Sequence, residues 1–123
     1  MNSIPSMDTD LITVDAAKCG AVTLKAFQAS TFFSRLRGLH AVWPLAADEA
    51  LVINPCNAIH TMTMSESIDV IFLNENGRVL KAKTVPRFRF SYCAGAASVV
   101  EMEAGSLKRL GIQVGDSMSI NRS

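Results

Sequence analysis

Short apolar runs that alternate with polar residues, each closed by a turn signal, constrain the fold of this chain most strongly. The clearest run covers residues 67–73, where Ile68, Val70 and Phe72 share one face of the expected strand. An Asn-Gly pair follows the run, and these residues tolerate the positive φ of a hairpin turn. Residues 78–85 are therefore predicted to pair with the first run as a β-hairpin.

The same alternation recurs along the rest of the chain. Further strands are predicted at 22–27, 50–53, 97–104 and 117–120. Short helices are predicted at 32–39, where Phe32, Leu36 and Leu39 share one side and Gly38 lies near the end, and at 106–110, which Gly111 closes. About six or seven short strands with one or two short helices predict a mainly-β fold, either a sandwich or a small barrel.

The composition is that of one folded domain. Hydrophobic residues make up 49% of the 123 residues and charged residues 19%, whereas disordered chains are poorer in apolar residues and richer in charge. The formal net charge of +1 gives no global field directed at nucleic acid. We predict a flexible N-terminal tail and lead-in over 1–20, a single β-rich domain over 21–120 and a C-terminal tail over 121–123.

The chain carries no evident targeting or membrane signal. Its start, MNSIPSMDTD, has a proline and two acids where a signal peptide needs an apolar run, and no later run approaches the ~20 apolar residues of a membrane helix. Three cysteines without a CxxC pair predict reduced thiols. We expect a cytoplasmic monomer or homodimer with no membrane insertion.

Reactive side chains are densest in the segment NPCNAIHTMTMSESID, residues 54–69. Cys56, His60 and Asp69 there suggest a thiol nucleophile, an imidazole base and an orienting carboxylate. Residues four apart in a strand are separated by ~13 Å, so only a turn or helix would bring Cys56 against His60. A buried, inert cysteine and a histidine bonded to backbone are therefore favoured over catalysis.

The same side chains allow two other sites. A Cys-x-x-x-His spacing can supply two zinc ligands, with His40 or Asp69 as a third, but no second short pair of ligands occurs in the sequence. We therefore predict no metal and no cofactor. The remaining interpretation is a pocket for a small ligand, lined by His40, Cys56, His60, Met64 and Asp69.

Basic residues are concentrated between positions 76 and 100, where no acid occurs. In an extended segment 87–92, three aromatic rings share one face, and Arg87 and Arg89 share the other. A stacking platform for single-stranded nucleic acid needs rings and charges on one exposed surface, so nucleic acid is disfavoured. A half-buried segment with a solvated basic side is predicted, and Arg87 and Arg89 are candidates for binding a small anion or an acidic protein.

Four short motifs, in order, resemble those of a known family. They read Arg35-x-x-Gly38-Leu39, then residues 54–73, then Val100-Glu101-x-x-Ala104-Gly105, then Gly111-Ile112-x-x-Gly115-Asp116. Over roughly residues 21–120 the chain resembles the domain-of-unknown-function 192 family of small prokaryotic proteins. It looks like a variant branch, with a Pro-Cys-x-x-Ile-His-Thr segment (55–61) and without the family's usual Trp-Met-Lys-Asn-Thr segment.

The resemblance implies a jelly-roll-like sandwich or barrel and no established reaction. Arg35 is a candidate partner for Asp69 or Glu101 in a structural ion pair, because a buried carboxylate must be paired or protonated. We therefore predict a small binding or accessory module with an unknown small ligand or protein partner. The alternative is a small Cys/His-dependent enzyme or metal-assisted catalyst that uses Cys56, His60 and Asp69.

Overall fold

The computed structural model describes residues 9–16, 20–29, 45–62 and 64–121, and these are mainly β-strand. In chain order the described elements are β1 (Thr9–Ala16), β2 (Gly20–Ala29), β3 (Glu49–Ile53), β4 (Ala58–His60), β5 (Ile68–Leu73), β6 (Val79–Val85), β7 (Phe90–Tyr92), β8 (Ser98–Glu103), α1 (Ser106–Leu110) and β9 (Ser117–Asn121). The predicted mainly-β class is confirmed. The described part of the chain contains no helix with the length and apolarity needed to span a bilayer.

Seven of the described strands form one sheet, in the order β6-β5-β8-β3-β2-β1-β9, and β4 pairs with β7 separately. Within the sheet only β2 and β3 are parallel neighbours. The two edge strands approach each other at an isolated bridge between Arg78 and Ser117, and the N–H of Met118 donates to the Gly77 carbonyl at 2.8 Å. The sheet nevertheless stays open, which is consistent with a small sandwich and not with a closed barrel.

The central strands β3, β5 and β8 bury apolar side chains on both faces of the sheet. The first face packs against Leu110 of α1 and includes Ala50, Val52, Ile71, Leu73, Val100 and Met102. The second face includes Leu51, Ile53, Val70, Phe72 and Val99, and it is covered by Ile59 of β4. The β4–β7 pair therefore forms a second layer over this face, with its own outer side turned away from the core.

The structure corrects the N-terminal boundary predicted from the sequence. Residues 1–20 are predicted to be a flexible lead-in, but Thr9–Ala16 forms β1 between β2 and β9. Its partners on one side lie at the far end of the chain, so local periodicity could not reveal the pairing. The helix predicted at 32–39 lies outside the described residues, as do Arg35 and His40.

Candidate functional site

The Pro-Cys-x-x-Ile-His-Thr segment forms the β4 half of the two-stranded layer. The register pairs Ala58 with Tyr92, Ile59 with Ser91 and His60 with Phe90. Backbone hydrogen bonds extend the ladder beyond each end: the N–H of Cys93 donates to the Asn57 carbonyl at 3.0 Å, and the N–H of Thr61 donates to the Arg89 carbonyl at 2.8 Å. This segment therefore fixes the position of β7 along its whole length.

Alternation along the strands gives the layer a buried inner face and an exposed outer face. Ile59 and Ser91 are buried on the inner face, whereas Phe90 and Tyr92 are 77% and 58% exposed on the outer one. The His60 ring lies beside Phe90, with ring centroids 6.0 Å apart. Opposite positions of an antiparallel pair bring side chains together, which places His60 among the exposed rings.

Thr61 organises the turn that leads into β7. Its side chain is fully buried, and its hydroxyl donates to the Pro86 carbonyl at 2.6 Å and accepts from the Arg89 N–H at 3.0 Å. The Thr61 carbonyl accepts the N–H of Phe88 at 3.2 Å. Phe88 has a φ of 60°, an uncommon conformation for a bulky residue, which persists when surrounding contacts hold it.

This turn interrupts the extended backbone assumed for segment 87–92 from its sequence pattern. The segment 87–92 is not continuously extended, because the backbone turns at Phe88, and its three rings are 52–77% exposed. Phe88 is 52% exposed, and the Arg87 guanidinium lies 4.6 Å from its ring centroid. The Arg89 guanidinium donates to the Phe88 carbonyl at 3.2 Å. A cation and a ring therefore meet in this turn, and the exposed rings of Phe90 and Tyr92 follow it on β7.

We call this region the aromatic–basic surface. It consists of His60, Met62, Arg87, Phe88, Arg89, Phe90 and Tyr92. Lys81 supports its far end, since its ammonium group donates to the Tyr92 carbonyl at 2.8 Å. No acidic residue occurs between positions 76 and 100 of the sequence, so β7 and both flanking segments contribute only positive charge.

Cys56 lies in the loop before β4 and borders an open cavity of about 410 Å³. Its thiol donates to the Ala58 carbonyl at 3.0 Å, and Asn54 and Asn57 line the same cavity. Cys93 is also a free thiol, which contacts the Ala94 carbonyl at 3.6 Å. Both cysteines pack against the core cluster on the second sheet face.

The three residues considered for catalysis are engaged in separate interactions. The Nδ1 atom of His60 accepts the N–H of Met62 at 3.3 Å, while the Cys56 thiol is bonded to its own loop. Because residues 58–60 are extended, the turn that would bring the thiol to the imidazole is not formed. Among the described residues, no hydrogen bond joins Cys56, His60 and Asp69.

Asp69 faces the first core cluster, on the side of the sheet away from β4. Its buried carboxylate accepts the Thr84 hydroxyl at 2.6 Å and the backbone N–H groups of Gly105 and Leu107 at 3.0 and 2.9 Å. Gly105 is the N-cap of α1 and has no side chain with which to cap it. The carboxylate therefore supplies the cap from a distant strand, because helix N-termini leave backbone donors unsatisfied.

The other predicted site residues are dispersed. Met64 is buried in the second core cluster, and Glu101 is 1% exposed on β8, where its register partners are Leu51 and Val70. The ion pair predicted for Arg35 remains a prediction, since Arg35 lies outside the described residues, and so does the pocket that includes His40. No group of three or more His, Cys, Asp or Glu side chains in the described ranges is arranged to hold a metal ion.

Comparison with solved structures shows the same fold elsewhere. A Sinorhizobium meliloti protein, provisionally named a transcription regulator, superposes with a TM-score of 0.83 at 19% identity, covering 94% of this chain and 95% of that one. A Novosphingobium aromaticivorans protein of unknown function gives a TM-score of 0.77 at 22% identity, covering 90% and 84%. At these identities the likeness establishes the fold alone.

Sequence relatives and a family model identify the group. A UPF0127 protein of Thermococcus sibiricus is 33% identical over 96 residues, which cover 73% of this chain and 62% of the relative. A UPF0127 protein of Thermococcus gammatolerans is 36% identical over 98 residues, which cover 74% and 63%. The chain thus spans less than two thirds of these relatives' length. Residues 13–120 match the DUF192 model, described as "Uncharacterized ACR, COG1430", and the chain therefore belongs to the DUF192 (UPF0127) family.

Proposed function

We propose that the protein is a non-catalytic binding module that recognises an anionic partner through the aromatic–basic surface. The observation that carries this proposal is the exposure of Phe90 and Tyr92 on one strand, directly after a turn in which the Arg87 guanidinium lies over the exposed ring of Phe88. Contiguous exposed apolar groups rimmed by polar ones mark interaction sites in folded proteins. Exposed rings of this kind cost solvation energy unless a partner covers them.

The positive charge of the surface indicates that its partner is anionic. Arg87 and Arg89 are exposed, and no acid lies within the same stretch of sequence to neutralise them. An arginine guanidinium presents a fork of donors that suits carboxylate and phosphate oxygens, and it keeps these donors while stacked on a ring. A second copy of the chain docked face to face would bring two positively charged surfaces together, which favours a different, anionic partner.

The positions of the other polar groups support binding over a reaction. Asp69 is committed to capping α1, and the Cys56 thiol and the His60 imidazole are each bonded to nearby backbone. Nucleophilic catalysis needs a base within hydrogen-bond reach of the nucleophile and a third group that orients the base. The contacts observed for these side chains instead stabilise the loop, the two-stranded layer and the helix.

Retention on immobilised heparin, a sulfated polyanion, tests the proposal. We expect the protein to bind at low salt and to elute at markedly lower salt when Arg87→Gln and Arg89→Gln are combined. The matched control combines Lys25→Gln and Lys108→Gln, which remove the same charge from exposed positions outside the surface. Absence of retention, or an equal loss in both double variants, would overturn the proposal. Circular dichroism confirms that each variant is folded.

A further inference from the structure

We infer that the anionic partner is single-stranded nucleic acid, with bases stacked on Phe90 and Tyr92 and phosphates held by Arg87 and Arg89. This inference rests on the proposed function, since it names the partner of the same surface. Four features carry it: the spacing of the rings, their accessibility, the position of the cations and the short length of the strand edges.

Ring spacing matches a nucleotide chain. Phe90 and Tyr92 are two positions apart on β7 and point to the same face, so they stand about 6.6 Å apart along the strand. Successive bases of an extended single strand can separate by a similar distance and lie one on each ring. Stacking of this kind tolerates any sequence, because every base has a π face.

The two rings are accessible, and the ring of Phe88, two residues before Phe90, already lies against a cation. The ring of Phe90 remains largely exposed although His60 approaches it in a tilted arrangement, with a 60° angle between the ring planes. Arg87 lies over the Phe88 ring next to these positions, and its remaining donors are available to a phosphate. A surface that combines stacking rings with arginines is the arrangement by which proteins hold single strands.

The strand edges argue against an acidic peptide bound as an added strand. β4 and β7 have only three residues each, so few backbone groups remain for pairing. The Tyr92 carbonyl already accepts the Lys81 ammonium group. Carboxylates could contact the arginines but would leave Phe90 and Tyr92 uncovered. Duplex DNA is disfavoured for a separate reason: its bases are stacked on one another and cannot reach the rings of Phe90 and Tyr92.

Fluorescence anisotropy with labelled oligonucleotides tests the inference. The probes are a dT12 strand, an rU12 strand and a 12-base-pair duplex, each at low and moderate salt. We expect both single strands to bind at least tenfold more tightly than the duplex. Combining Phe90→Ala with Tyr92→Ala should lower single-strand affinity about tenfold or more. The control Val114→Ala removes an exposed apolar side chain far along the sequence and should leave affinity unchanged.

Two further variants separate stacking from charge. Phe90→Trp should retain binding, and the fluorescence of the added indole should be quenched by a stacked base, a signal that a merely structural role would not produce. The Arg87→Gln and Arg89→Gln double variant should reduce the slope of log affinity against log salt by about 0.7 for each phosphate that the arginines no longer neutralise. Weaker affinity without a change in slope would overturn the assignment of phosphates to these arginines.

The outcomes also distinguish this inference from the proposed function. If heparin retention depends on Arg87 and Arg89 but no oligonucleotide binds, the nucleic-acid inference is overturned, the anionic-partner proposal stands, and an acidic protein becomes the partner to seek. Equal binding of single strands and duplex overturns the stacking geometry. If neither heparin nor oligonucleotides bind, both the inference and the proposed function fail.

Discussion

The hydroxyl oxygen of Thr61 accepts a hydrogen bond of 3.0 Å from the backbone N–H of Arg89. This bond joins the end of the Pro-Cys-x-x-Ile-His-Thr segment to the turn that carries Phe88. The motif thus acts on the aromatic–basic surface by holding its backbone, and the side chain responsible is fully buried.

Thr61→Val should destabilise the protein by about 1–3 kcal/mol, because the isosteric side chain leaves the part-buried Arg89 N–H and Pro86 carbonyl without their partner. Thr61→Ser keeps the hydroxyl and should cost less. Chemical denaturation of both variants measures the difference in free energy of unfolding. A Val variant as stable as the Ser variant would show that the hydroxyl does not hold the turn.

Ser91→Ala should leave stability unchanged or raise it by up to about 1 kcal/mol. The Ser91 hydroxyl is buried on the inner face of β7, and it makes no hydrogen bond among the described residues, so its removal breaks no such bond. Chemical denaturation of Ser91→Ala measures its free energy of unfolding, which is compared with that of Thr61→Val. A destabilisation as large as that of the Thr61 variant would contradict the structure.

Asp69→Asn should cost about 1–3 kcal/mol, because an amide cannot accept all three of the hydrogen bonds that the carboxylate receives. Thr84→Val removes one of the three and should cost less. Urea denaturation measures the loss in free energy of unfolding for both variants. The salt concentration that elutes each variant from heparin should be unchanged, since Asp69 lies on the far face of the sheet. Weaker retention by a folded Asn variant would instead connect this carboxylate to the aromatic–basic surface.

Gly77→Ala should destabilise the protein more than Gly115→Ala. Both glycines have positive φ, at 81° and 97°, so each substitution carries a backbone cost of about 1–2 kcal/mol. A Cβ at Gly77 would also collide with the Met118 carbonyl oxygen, whereas a Cβ at Gly115 would meet no atom within 4 Å. The shift in thermal midpoint ranks the two variants, and an equal shift would mean that the bridge between the sheet edges can relax.

The elements predictable from the sequence are those whose signals are local. The β5–β6 hairpin follows from alternation and an Asn-Gly turn within 18 consecutive residues, and α1 ends at Gly111 in the left-handed conformation, as expected of a terminal glycine. β1 was not predictable, because Thr9–Ala16 is held by β9 from the other end of the chain.

The backbone of the aromatic–basic surface departs from strict alternation for a related reason. Strict alternation from Arg87 to Tyr92 assumes an extended backbone, but Thr61 bends it at Phe88 through contacts some 25 residues away in sequence. The only sequence signal was a threonine between His60 and Met62, which looks like any polar strand residue until its burial is known. A motif that includes such a residue can hold the backbone of a surface in place without itself forming that surface.

The pairing of Leu11 with Asn121 also limits how the protein can be made. β1 is synthesised first among the described strands and β9 last, and the two are hydrogen-bonded neighbours in the sheet. While the nascent chain is still attached to the ribosome, β1 can pair with β2, but its other edge stays open until β9 emerges. Open edges recruit other strands, so we expect β1 to pair wrongly with other strands most often before β9 is available.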